Sequence, residues 1–513
     1  MRRWMPGLGL VIGVTGLVMF LNLGGIPLLD PDEPVYAETA KEMIAYNDFI
    51  SPRIYGEYWY DKPPMYYWLV AAAYKIGGIS EFTSRFPSAL LAVFCTAAVY
   101  LSAARLFNQR TAVASGLILA TSIEFFYLGK AAVTDITLTF FLTAALLAFI
   151  EKRYYWFYIF AGLATVTKGP VGLLFPGGIV FFYLLATGKW FLLKNMKIPI
   201  GILLAALVGL PWYYAMYRLH GGVFIDTFLG FHNITRFTSP EHPELVLWYF
   251  YIPVLLLGFF PWTAVMAQAV WTSLIKSSKR DFQILCFLNT WLIFIFLFFT
   301  ISQTKLVSYI LPMYPPLAIV TGWYVDQVWN RLSRYQSVLW SALLALFSLV
   351  IVASLLLGLK PMPLLQNSGI VLAAVLLLSA CFTIFFLWRQ RVSRAFGAQI
   401  IGIIVSSMVL FSLIFPVAAP KFAANDIGKA FNDNYDGITS VYIIKFLHPG
   451  FTFYTDVYGI ELAEIDDLPT ALQASQRAYF VIRQLDYDQL APEIRRQLSV
   501  VSTSADKFLL LKQ

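Results

Sequence analysis

Charged residues are scarce in this chain. Asp, Glu, Lys and Arg together make up 13% of its 513 residues, whereas soluble domains contain about 25%. An ordinary soluble protein is therefore excluded. A net charge of +8 would suggest a nucleic-acid partner for a soluble protein, but here the basic residues lie in short connections between apolar runs, where membrane orientation accounts for them. We expect no nucleic-acid partner.

Cysteine and histidine are also rare. The three cysteines, Cys95, Cys286 and Cys381, each lie inside an apolar run, which excludes a disulfide framework and a cysteine zinc site. Of the four histidines, three fall between residues 220 and 242. Their spacing fits no compact zinc motif. A divalent metal in this segment therefore stays open as an alternative, and no cofactor is required by the sequence.

Apolar residues make up 59% of the chain. Runs of about 20 such residues recur, each long enough to cross the hydrocarbon core as a helix, and they lack the alternation of a membrane β-barrel. We predict an all-α polytopic membrane bundle of about thirteen spans, with the shorter segment 64–77 lying along the interface. The predicted spans are 7–24, 85–106, 112–128, 133–151, 155–168, 170–187, 198–216, 246–272, 282–301, 307–328, 336–358, 368–388 and 397–415.

Basic residues recur in alternate connections between these spans, which is the positive-inside pattern. They are Arg2/Arg3, Arg105/Arg110, Lys152/Arg153, Lys189/Lys194/Lys197, Lys276/Lys279/Arg280, Arg331/Arg334 and Arg389/Arg391/Arg394. The pattern predicts an inner-membrane protein with a cytoplasmic N-terminus and an extracytoplasmic C-terminus. We expect a membrane domain over 1–415, with outer loops at 27–84 and 217–245. A small extracytoplasmic α/β domain is expected over 416–513, with strand-like runs at 440–446, 451–455, 477–483 and 507–512.

The first long polar interval is Leu28–Trp68. Asp32 and Glu33 precede a helical pattern there, so Asp32 is either a general base or a helix N-cap. Further along, Asp61 stands beside Lys62, and two prolines fix the direction of the chain after them. Lys62 can hold a lipid phosphate, or it can simply extend its ammonium to the headgroups.

Other polar residues fall on the same predicted face. Lys130 and Asp135 lie at the start of a span, Lys168 joins two spans, and Lys305 and Tyr309 open another. Ionisable groups at such depth are costly and therefore suggest function. The loop after residue 217 adds further candidates, among which Arg236 suits a planar contact with a phosphate. These loop candidates are Asp226, His232, Asn233, Arg236, Glu241 and His242.

Six motifs occur in a specific order between about residues 25 and 320. They are DPDEPVYAE, YWYDKPPMYYW, KAAVTDITLTFF, GLATVTKGPVGLLFP, VLLLGFFPW and SQTKLVSYILPMYPPLA. In this order the chain resembles the polyprenyl-phosphate-dependent glycosyltransferases of the GT-C fold. It is similar in particular to the bacterial lipid A aminoarabinose transferases and to the protein O-mannosyltransferases.

The resemblance implies roles by position. Asp32 matches the acid taken as the general base, Glu33 is its neighbour, and Asp135 matches a second outer acid. Lys62 matches the lysine that holds the carrier phosphate. Three further residues, Arg236, Lys305 and Tyr309, are expected near that phosphate. Asp61 stands where the lipid A enzymes have a zinc-binding glutamate, and His232 is the candidate second ligand. The aromatic residues Tyr58, Trp59 and Tyr60 are expected to contact the sugar or the prenyl chain.

Two positions depart from the family pattern. Val35 replaces the arginine of Asp-Glu-x-Arg-Tyr, and His232 lies four residues before Arg236. The expected activity is transfer of a sugar from a polyprenyl-phosphate carrier to a lipid, glycan or protein acceptor at the outer face. The alternatives are a lipid-linked sugar transporter or flippase, which would need ionisable groups near mid-membrane, and a non-catalytic envelope assembly factor.

Overall fold

The computed structural model describes residues 5–240, 246–275, 281–474 and 476–512. It is mostly helical with a small C-terminal sheet, as predicted. Several residues discussed above lie outside the described ranges: Arg2, Arg3, Glu241, His242, Lys276, Lys279 and Arg280. The chain divides into two compact units. The helical unit comprises the described parts of Met1–Leu21, Tyr60–Tyr66 and Pro87–Leu410. The mixed unit comprises those of Asn22–Trp59, Tyr67–Phe86 and Phe411–Gln513.

The helical unit consists of helices joined by short connections. Its α-helices are Met5–Phe20, Gln109–Ala120, Ile123–Gly129, Asp135–Ile150, Tyr154–Lys168, Val171–Thr187, Leu192–Asn195, Ile198–Ile225, Arg236–Thr238, Tyr251–Gly258, Thr263–Ile275, Phe282–Ile301, Tyr314–Val328, Arg334–Leu359, Pro363–Trp388 and Val392–Val409. A π-helix covers Asp226–Thr235 and a 3-10 helix covers Val307–Met313. Helix Glu81–Leu106 belongs to both units.

Among the described residues, six helices are long and apolar enough to cross a membrane, or up to eight if each bent pair is one span. The number thirteen stays a prediction. Two predicted straight spans are broken. The span predicted over 112–128 bends by 65° between Ala120 and Ile123, and the one over 246–272 bends by 110° between Gly258 and Thr263. Pro261 accounts for the second bend, because proline cannot continue a helix interior.

The predicted loop 217–245 is also corrected by the structure. Helix Ile198–Ile225 continues through the π-helix Asp226–Thr235 as far as Thr238. Gly221 breaks the helical backbone inside this run with a φ of 60°, a conformation that glycine adopts without steric cost. The polar residues 226–236 are therefore ordered by a helical repeat.

Two hydroxyl side chains at the break between helices Gln109–Ala120 and Ile123–Gly129 bond to the backbone of the first helix. Thr121 and Ser122 each donate to the carbonyl four residues earlier, at 2.6 and 2.7 Å. Such bonds satisfy hydroxyl groups where water is absent, and they favour local bending. Helix Gln109–Ala120 begins at Asn108, whose Oδ1 accepts from the amides of two first-turn residues.

The mixed unit is built on a five-stranded sheet. The strand order is Ile460–Leu462, Ser440–Ile444, Ala478–Arg483, Lys507–Lys512, Leu498–Ser504. The first three strands in this order are parallel to one another. Strand Lys507–Lys512 pairs antiparallel with both of its neighbours. A two-stranded hairpin, Arg53–Ile54 with Glu57–Tyr58, belongs to the same unit. Its helical segments are Asp32–Ala45, Met65–Gly77 from residue 67 onward, Leu410–Ile414 (π) from residue 411 onward, Phe415–Ala418, Ala419–Phe422 (3-10), Asn425–Asn432, His448–Thr455, Ile465–Asp467 (3-10), Leu468–Ala474, Gln484–Gln489 and Pro492–Arg495.

Three of the four predicted strands in the tail are present, at 440–444, 478–483 and 507–512. The fourth prediction, a strand over 451–455, is wrong, because these residues complete the helix His448–Thr455. Pro449 sits in the first turn of that helix, where its fixed φ suits a helix start. The aromatic residues that suggested a strand are instead mostly buried on this helix.

A buried ion pair holds the start of the first polar interval. Arg85 and Glu33 have side chains only 2% and 6% exposed. The guanidinium Nε donates to Glu33 Oε1 at 2.8 Å and Nη2 donates to Oε2 at 2.6 Å. The remaining donors of Arg85 reach the carbonyls of Leu23, Ile26 and Pro27 at 2.7–3.2 Å. This two-bond geometry is the strongest that an arginine and a carboxylate form.

We expect Arg85→Met to reduce the free energy of unfolding by about 3–5 kcal/mol, because it leaves the Glu33 carboxylate buried without its cation. The double variant Glu33→Leu/Arg85→Met should recover part of that loss, since no unpaired charge remains but three carbonyls still lack donors. Thermal unfolding of the purified proteins in detergent measures both. A single variant as stable as the parent would contradict this role.

Candidate active site

Asp61, which stands just before Pro63 and Pro64, is a carboxylate with three basic partners. Asp61 Oδ1 lies 2.8 Å from Lys62 Nζ, 2.7 Å from His232 Nδ1 and 3.2 Å from Arg236 Nη1. All four side chains are at most 24% exposed. Residues that are 175 positions apart in the sequence thus meet at one oxygen atom.

The spacing of His232 and Arg236 explains how both reach Asp61. They are four residues apart on the helical run that continues from Asp226 to Thr238. Side chains at this spacing lie on the same face of a helix. The position of His232, which departs from the family pattern, therefore places its ring beside Arg236 on the Asp61 carboxylate.

A second ion pair joins Asp135 and Lys168, with Nζ 2.8 Å from Oδ1. Asp135 is the first residue of helix Asp135–Ile150, and Lys168 is the last of helix Tyr154–Lys168. Gly169 ends that helix with a φ of 81°, and Pro170 precedes the next one. The Lys168 ammonium also lies 4.9 Å from the centre of the Tyr309 ring, within the range of a cation–π contact.

Both ion pairs line one cavity of about 480 Å³. Its polar lining includes Asp61, Lys62, Asp135, Lys168, His232, Asn233, Arg236, Ser308 and Tyr309. Apolar side chains line it as well, namely Leu138, Val171, Leu174, Phe228, Phe237 and Phe298. Even without His232, the three cations Lys62, Lys168 and Arg236 outnumber the two carboxylates. The cavity thus combines an excess of positive charge with a hydrocarbon surface.

The neighbours of Asp61 and Lys62 shift their proton affinities. Burial alone would raise the pKa of the Asp61 carboxyl, but Lys62, then His232 and Arg236, outweigh it and lower that pKa below its usual value. Asp61 is therefore ionised at neutral pH. For Lys62, burial lowers the pKa of the ammonium, Asp61 opposes the shift, and Arg236 and Lys168 add to it. The net pKa of Lys62 lies below that of an ordinary lysine.

The described residues around Asp61 bear on the metal predicted there. Among the described residues, no group of three or more His, Cys, Asp and Glu side chains is arranged to hold one. Asp61 and His232 supply two such groups, but they face each other at 2.7 Å, and two cations share the same carboxylate. The metal at Asp61 and His232 stays a prediction, and no step proposed below passes through a metal.

Lys305, unlike the other predicted phosphate ligands, bonds to backbone carbonyls at a helix end. Its ammonium, 2% exposed, donates to the carbonyls of Thr300 at 2.7 Å and Ser302 at 2.8 Å. It thus neutralises the C-terminal end of helix Phe282–Ile301, a position that favours a cation. Lys130 does the same at the end of helix Met5–Phe20, where it donates to the carbonyls of Met19 and Leu21. Neither lysine lines the described part of the cavity.

The three predicted aromatic residues lie outside the described cavity lining. Tyr60 packs against His220 and Phe224, with ring centres 5.3 and 5.8 Å apart. In the mixed unit, Arg53 lies 4.1 Å above the Tyr58 ring and donates to its hydroxyl. Trp59 forms a backbone bond from its amide to the Pro52 carbonyl. Contact of these residues with a sugar or a prenyl chain stays a prediction.

Asp32 and Glu33, both in the mixed unit, differ sharply in environment. Glu33 is buried under Arg85, whereas Asp32 is exposed. The N-cap position of helix Asp32–Ala45 is Pro31, so Asp32 is the first helical residue and not the cap. A carboxylate in this first turn is still favoured by the helix dipole. Of the two acids, Asp32 is the one accessible to a substrate.

Residues 61–214 match the family model described as dolichyl-phosphate-mannose-protein mannosyltransferase. An uncharacterized protein of Aquifex aeolicus is 31% identical over 449 residues, covering 86% of this chain and 85% of that protein. The undecaprenyl phosphate-alpha-4-amino-4-deoxy-L-arabinose arabinosyl transferase of Pectobacterium carotovorum is 29% identical over 414 residues, covering 76% of this chain and 73% of the relative. The chain belongs to the polyprenyl-phosphate-dependent GT-C glycosyltransferases.

Solved structures show the same fold. ArnT from Cupriavidus metallidurans bound to undecaprenyl phosphate has a TM-score of 0.83 at 21% identity, covering 98% of this chain and 97% of that one. The oligosaccharyltransferase of Archaeoglobus fulgidus has a TM-score of 0.57 at 13% identity, covering 92% of this chain and 69% of that one. The protein is thus a multi-pass membrane protein with a GT-C architecture.

Two residues were missing from the site predicted for this GT-C chain. The sequence places Lys168 only on the predicted outer face, yet in the structure it lines the cavity and pairs with Asp135. The signal in the sequence is a lysine directly before Gly-Pro. Nothing in the sequence around Arg85 indicates its role, because it stands near the start of an apolar run with its partner 52 residues away.

We expect Asp61→Asn to destabilise the protein, because three neighbouring basic groups lose their shared counter-charge. Inorganic phosphate should then raise the unfolding temperature of the variant by more than that of the parent, since an anion replaces the lost carboxylate. Thermal unfolding with and without millimolar phosphate measures this. An equal shift in both proteins would show that anions do not reach the cluster.

Proposed function

We propose that this GT-C enzyme transfers a sugar from a polyprenyl-phosphate carrier to a lipid, glycan or protein acceptor by a single displacement that inverts the anomeric carbon. The phosphate of the donor would lie among Lys62, Arg236 and Lys168, and Tyr309 would lie beside it. The acceptor would lose its proton to Asp32. The observation that carries the proposal is the cavity in which these three cations, paired with only two carboxylates, meet an apolar lining.

The charge of the cavity supports binding of a phosphate. Lys62 and Lys168 are each 17% exposed or less, and Arg236 is 24% exposed. Contacts between such groups and a phosphate are stronger than those on an open surface, because less water competes for them. Arg236 offers a planar pair of donors, whereas the lysines act as compact charges. The related enzyme from Cupriavidus metallidurans is bound to undecaprenyl phosphate.

The apolar lining supports a donor with a long hydrocarbon chain. A nucleotide sugar would present a second phosphate and a base, which need further polar partners. Phe228, Phe237 and Phe298 offer none, and they suit a prenyl chain. The carrier therefore brings the sugar to the site from within the membrane.

The chemistry follows from these placements. The acceptor oxygen or nitrogen attacks the anomeric carbon and gives its proton to the Asp32 carboxylate. The bond between that carbon and the phosphate oxygen breaks, and the electron pair leaves with the phosphate. Lys62, Arg236 and Lys168 would stabilise the charge that develops on the departing phosphate.

Two observations favour Asp32 over Asp135 as the base. Asp32 is exposed, so an acceptor can reach it. Asp135 is 2.8 Å from Lys168, so its carboxylate already has an ammonium as a partner. Asp135 would instead hold Lys168 in position for the phosphate.

For the orientation in the membrane we propose a cytoplasmic N-terminus, with Asp32, the cavity and the C-terminal residues on the extracytoplasmic side of the inner membrane. The alternating basic residues in the connections support this orientation. The excess of positive charge lines a cavity and is not spread along a connection, which suits a binding site for the carrier phosphate.

We expect Lys62→Ala to weaken binding of undecaprenyl phosphate by roughly 10- to 150-fold, the equivalent of about 1.5–3 kcal/mol for a charged hydrogen bond. Lys75→Ala is the matched control, because Lys75 is exposed and its ammonium lies over the ring of Phe49. Titration of the labelled carrier onto purified protein measures both. If Lys62→Ala binds like the control, the ammonium serves only as a membrane anchor.

We expect Asp32→Asn to lower turnover by roughly 10²- to 10⁴-fold, the usual contribution of acid–base catalysis. Carrier binding should not change, because the amide differs from the carboxylate mainly in its inability to take a proton. Asp135→Asn should instead weaken carrier binding through Lys168. Turnover with an isolated donor, together with carrier affinity, separates the two. A folded Asp32→Asn protein with normal turnover would transfer the role of base to Asp135.

A further inference from the structure

The exposed acid Asp32 stands between two buried acids. Asp30 and Glu33 are 9% and 5% exposed, respectively. Arg85 and the amide of Leu29 fix Glu33 from one side. Asp30 is fixed by different residues, and those residues belong to the C-terminal part of the same compact unit. The position of Asp32 therefore depends on contacts made by its neighbours on either side.

The C-terminal contacts of this segment come from one helix, His448–Thr455. The amide of Gly450, in the first turn of that helix, donates to Asp30 Oδ1 at 2.9 Å. The hydroxyl of Tyr454 accepts from the amide of Leu28 at 2.8 Å. The amides of a first helical turn have no partner within their own helix. The Asp30 carboxylate supplies a partner for one of these amides. Asp30 therefore stabilises the start of helix His448–Thr455 and is itself held in place by it.

The same helix also contacts the helix that Asp32 begins. Lys41, on helix Asp32–Ala45, donates to the Phe453 carbonyl at 3.0 Å and lies 2.6 Å from Asp456 Oδ1. The rings of Tyr55 and His448 stack with centres 3.7 Å apart. Helix His448–Thr455 and the residues that flank it thus contact residues 28–55 at three places: before, along and after helix Asp32–Ala45.

No side chain fits at Gly450. A Cβ atom there would lie 2.3 and 2.5 Å from the carboxylate oxygens of Asp30 and 2.7 Å from its Cγ. These distances are far below van der Waals contact. Asp30 would have to move, and it is only two residues from Asp32. By contrast, a Cβ at Gly428, another buried helical glycine of this unit, would meet its nearest atoms at 3.2 and 3.4 Å.

We propose that the C-terminal part of the mixed unit positions the catalytic base: Asp30 and Gly450, with helix His448–Thr455, are positioning residues that hold Asp32. This inference rests on the proposed role of Asp32 as the base. A misplacement of about 1 Å at a reacting group can cost about 10²-fold in rate. A rigid support for Asp32 would therefore act on turnover, while the cations that hold the carrier phosphate lie in the other unit.

Four variants test the proposal. Gly450→Ala and Asp30→Ala should lower kcat by at least about tenfold and leave the affinity for undecaprenyl phosphate unchanged. Asp30→Asn should stay within a few-fold of the parent, because its amide oxygen still accepts from the Gly450 amide. Burial raises the pKa of the Asp30 carboxyl well above its usual value, against two backbone hydrogen bonds, so an uncharged side chain suits this place. Gly428→Ala is the matched control and should have normal kcat.

The comparison also separates positioning from loss of fold. Each variant is purified, its unfolding temperature is measured, and kcat and carrier affinity are determined on the folded fraction. A merely structural role would lower kcat and carrier affinity together, or lower kcat equally in Gly450→Ala and Gly428→Ala, and either result would overturn the proposal. Normal kcat in folded Gly450→Ala and Asp30→Ala would overturn it as well.

Asp32→Asn, measured beside these variants, separates the role of Asp32 as the base from its positioning by helix His448–Thr455. If Asp32→Asn is inactive but Gly450→Ala and Asp30→Ala are normal, Asp32 is the base and the C-terminal helix does not position it. If Asp32→Asn is itself normal, the role proposed for Asp32 fails first, and a defect in Gly450→Ala would then have to act on another group.

Discussion

The ion pair between Arg85 and Glu33 is the interaction on which the candidate base depends most directly. A guanidinium in a site that excludes water must have all its donors occupied, because each unsatisfied one is costly. Arg85 meets this condition through one carboxylate and three carbonyls, those of Leu23, Ile26 and Pro27. The chain from Leu23 to Glu33 thus folds around a single cation. The exposed side chain of Asp32 therefore extends from a fixed backbone.

The same constraint divides four lysines of the helical unit, two buried and two half-buried, into two classes. Lys130 and Lys305 each donate to carbonyls at the end of a helix, where the helix supplies the counter-charge and no further ligand is needed. Lys62 and Lys168 are paired with carboxylates in a cavity, where a single acid oxygen leaves other donors of the ammonium for an anion. Sequence position does not separate the classes, since Lys130 and Lys305 of the first class and Lys168 of the second all stand near span ends. Only the partner does.

Much of the architecture follows from the sequence, because apolar periodicity is local. The helical bundle and the small C-terminal sheet were both predicted. The errors arose where distant contacts decide the local structure. The run 451–455 has a strand-like composition, yet it belongs to a helix whose first turn donates a hydrogen bond to Asp30. The loop after residue 217 is polar, yet it continues a helix on which His232 and Arg236 both face the Asp61 carboxylate.

The charge balance of the cavity has a consequence for the proposed reaction. A polyprenyl-phosphate sugar is a phosphodiester with one negative charge, whereas the carrier left after transfer is a monoester with about 1.5 to 2 at neutral pH. In that reaction Lys62, Lys168 and Arg236 would therefore interact more strongly with the departing phosphate than with the donor, which is the condition for lowering the barrier. The same preference would hold the spent carrier after transfer. Asp61 and Asp135 would limit this preference, because each carboxylate cancels part of the positive charge. Two carboxylates in the proposed phosphate site would thus be a compromise between speed of transfer and release of the carrier.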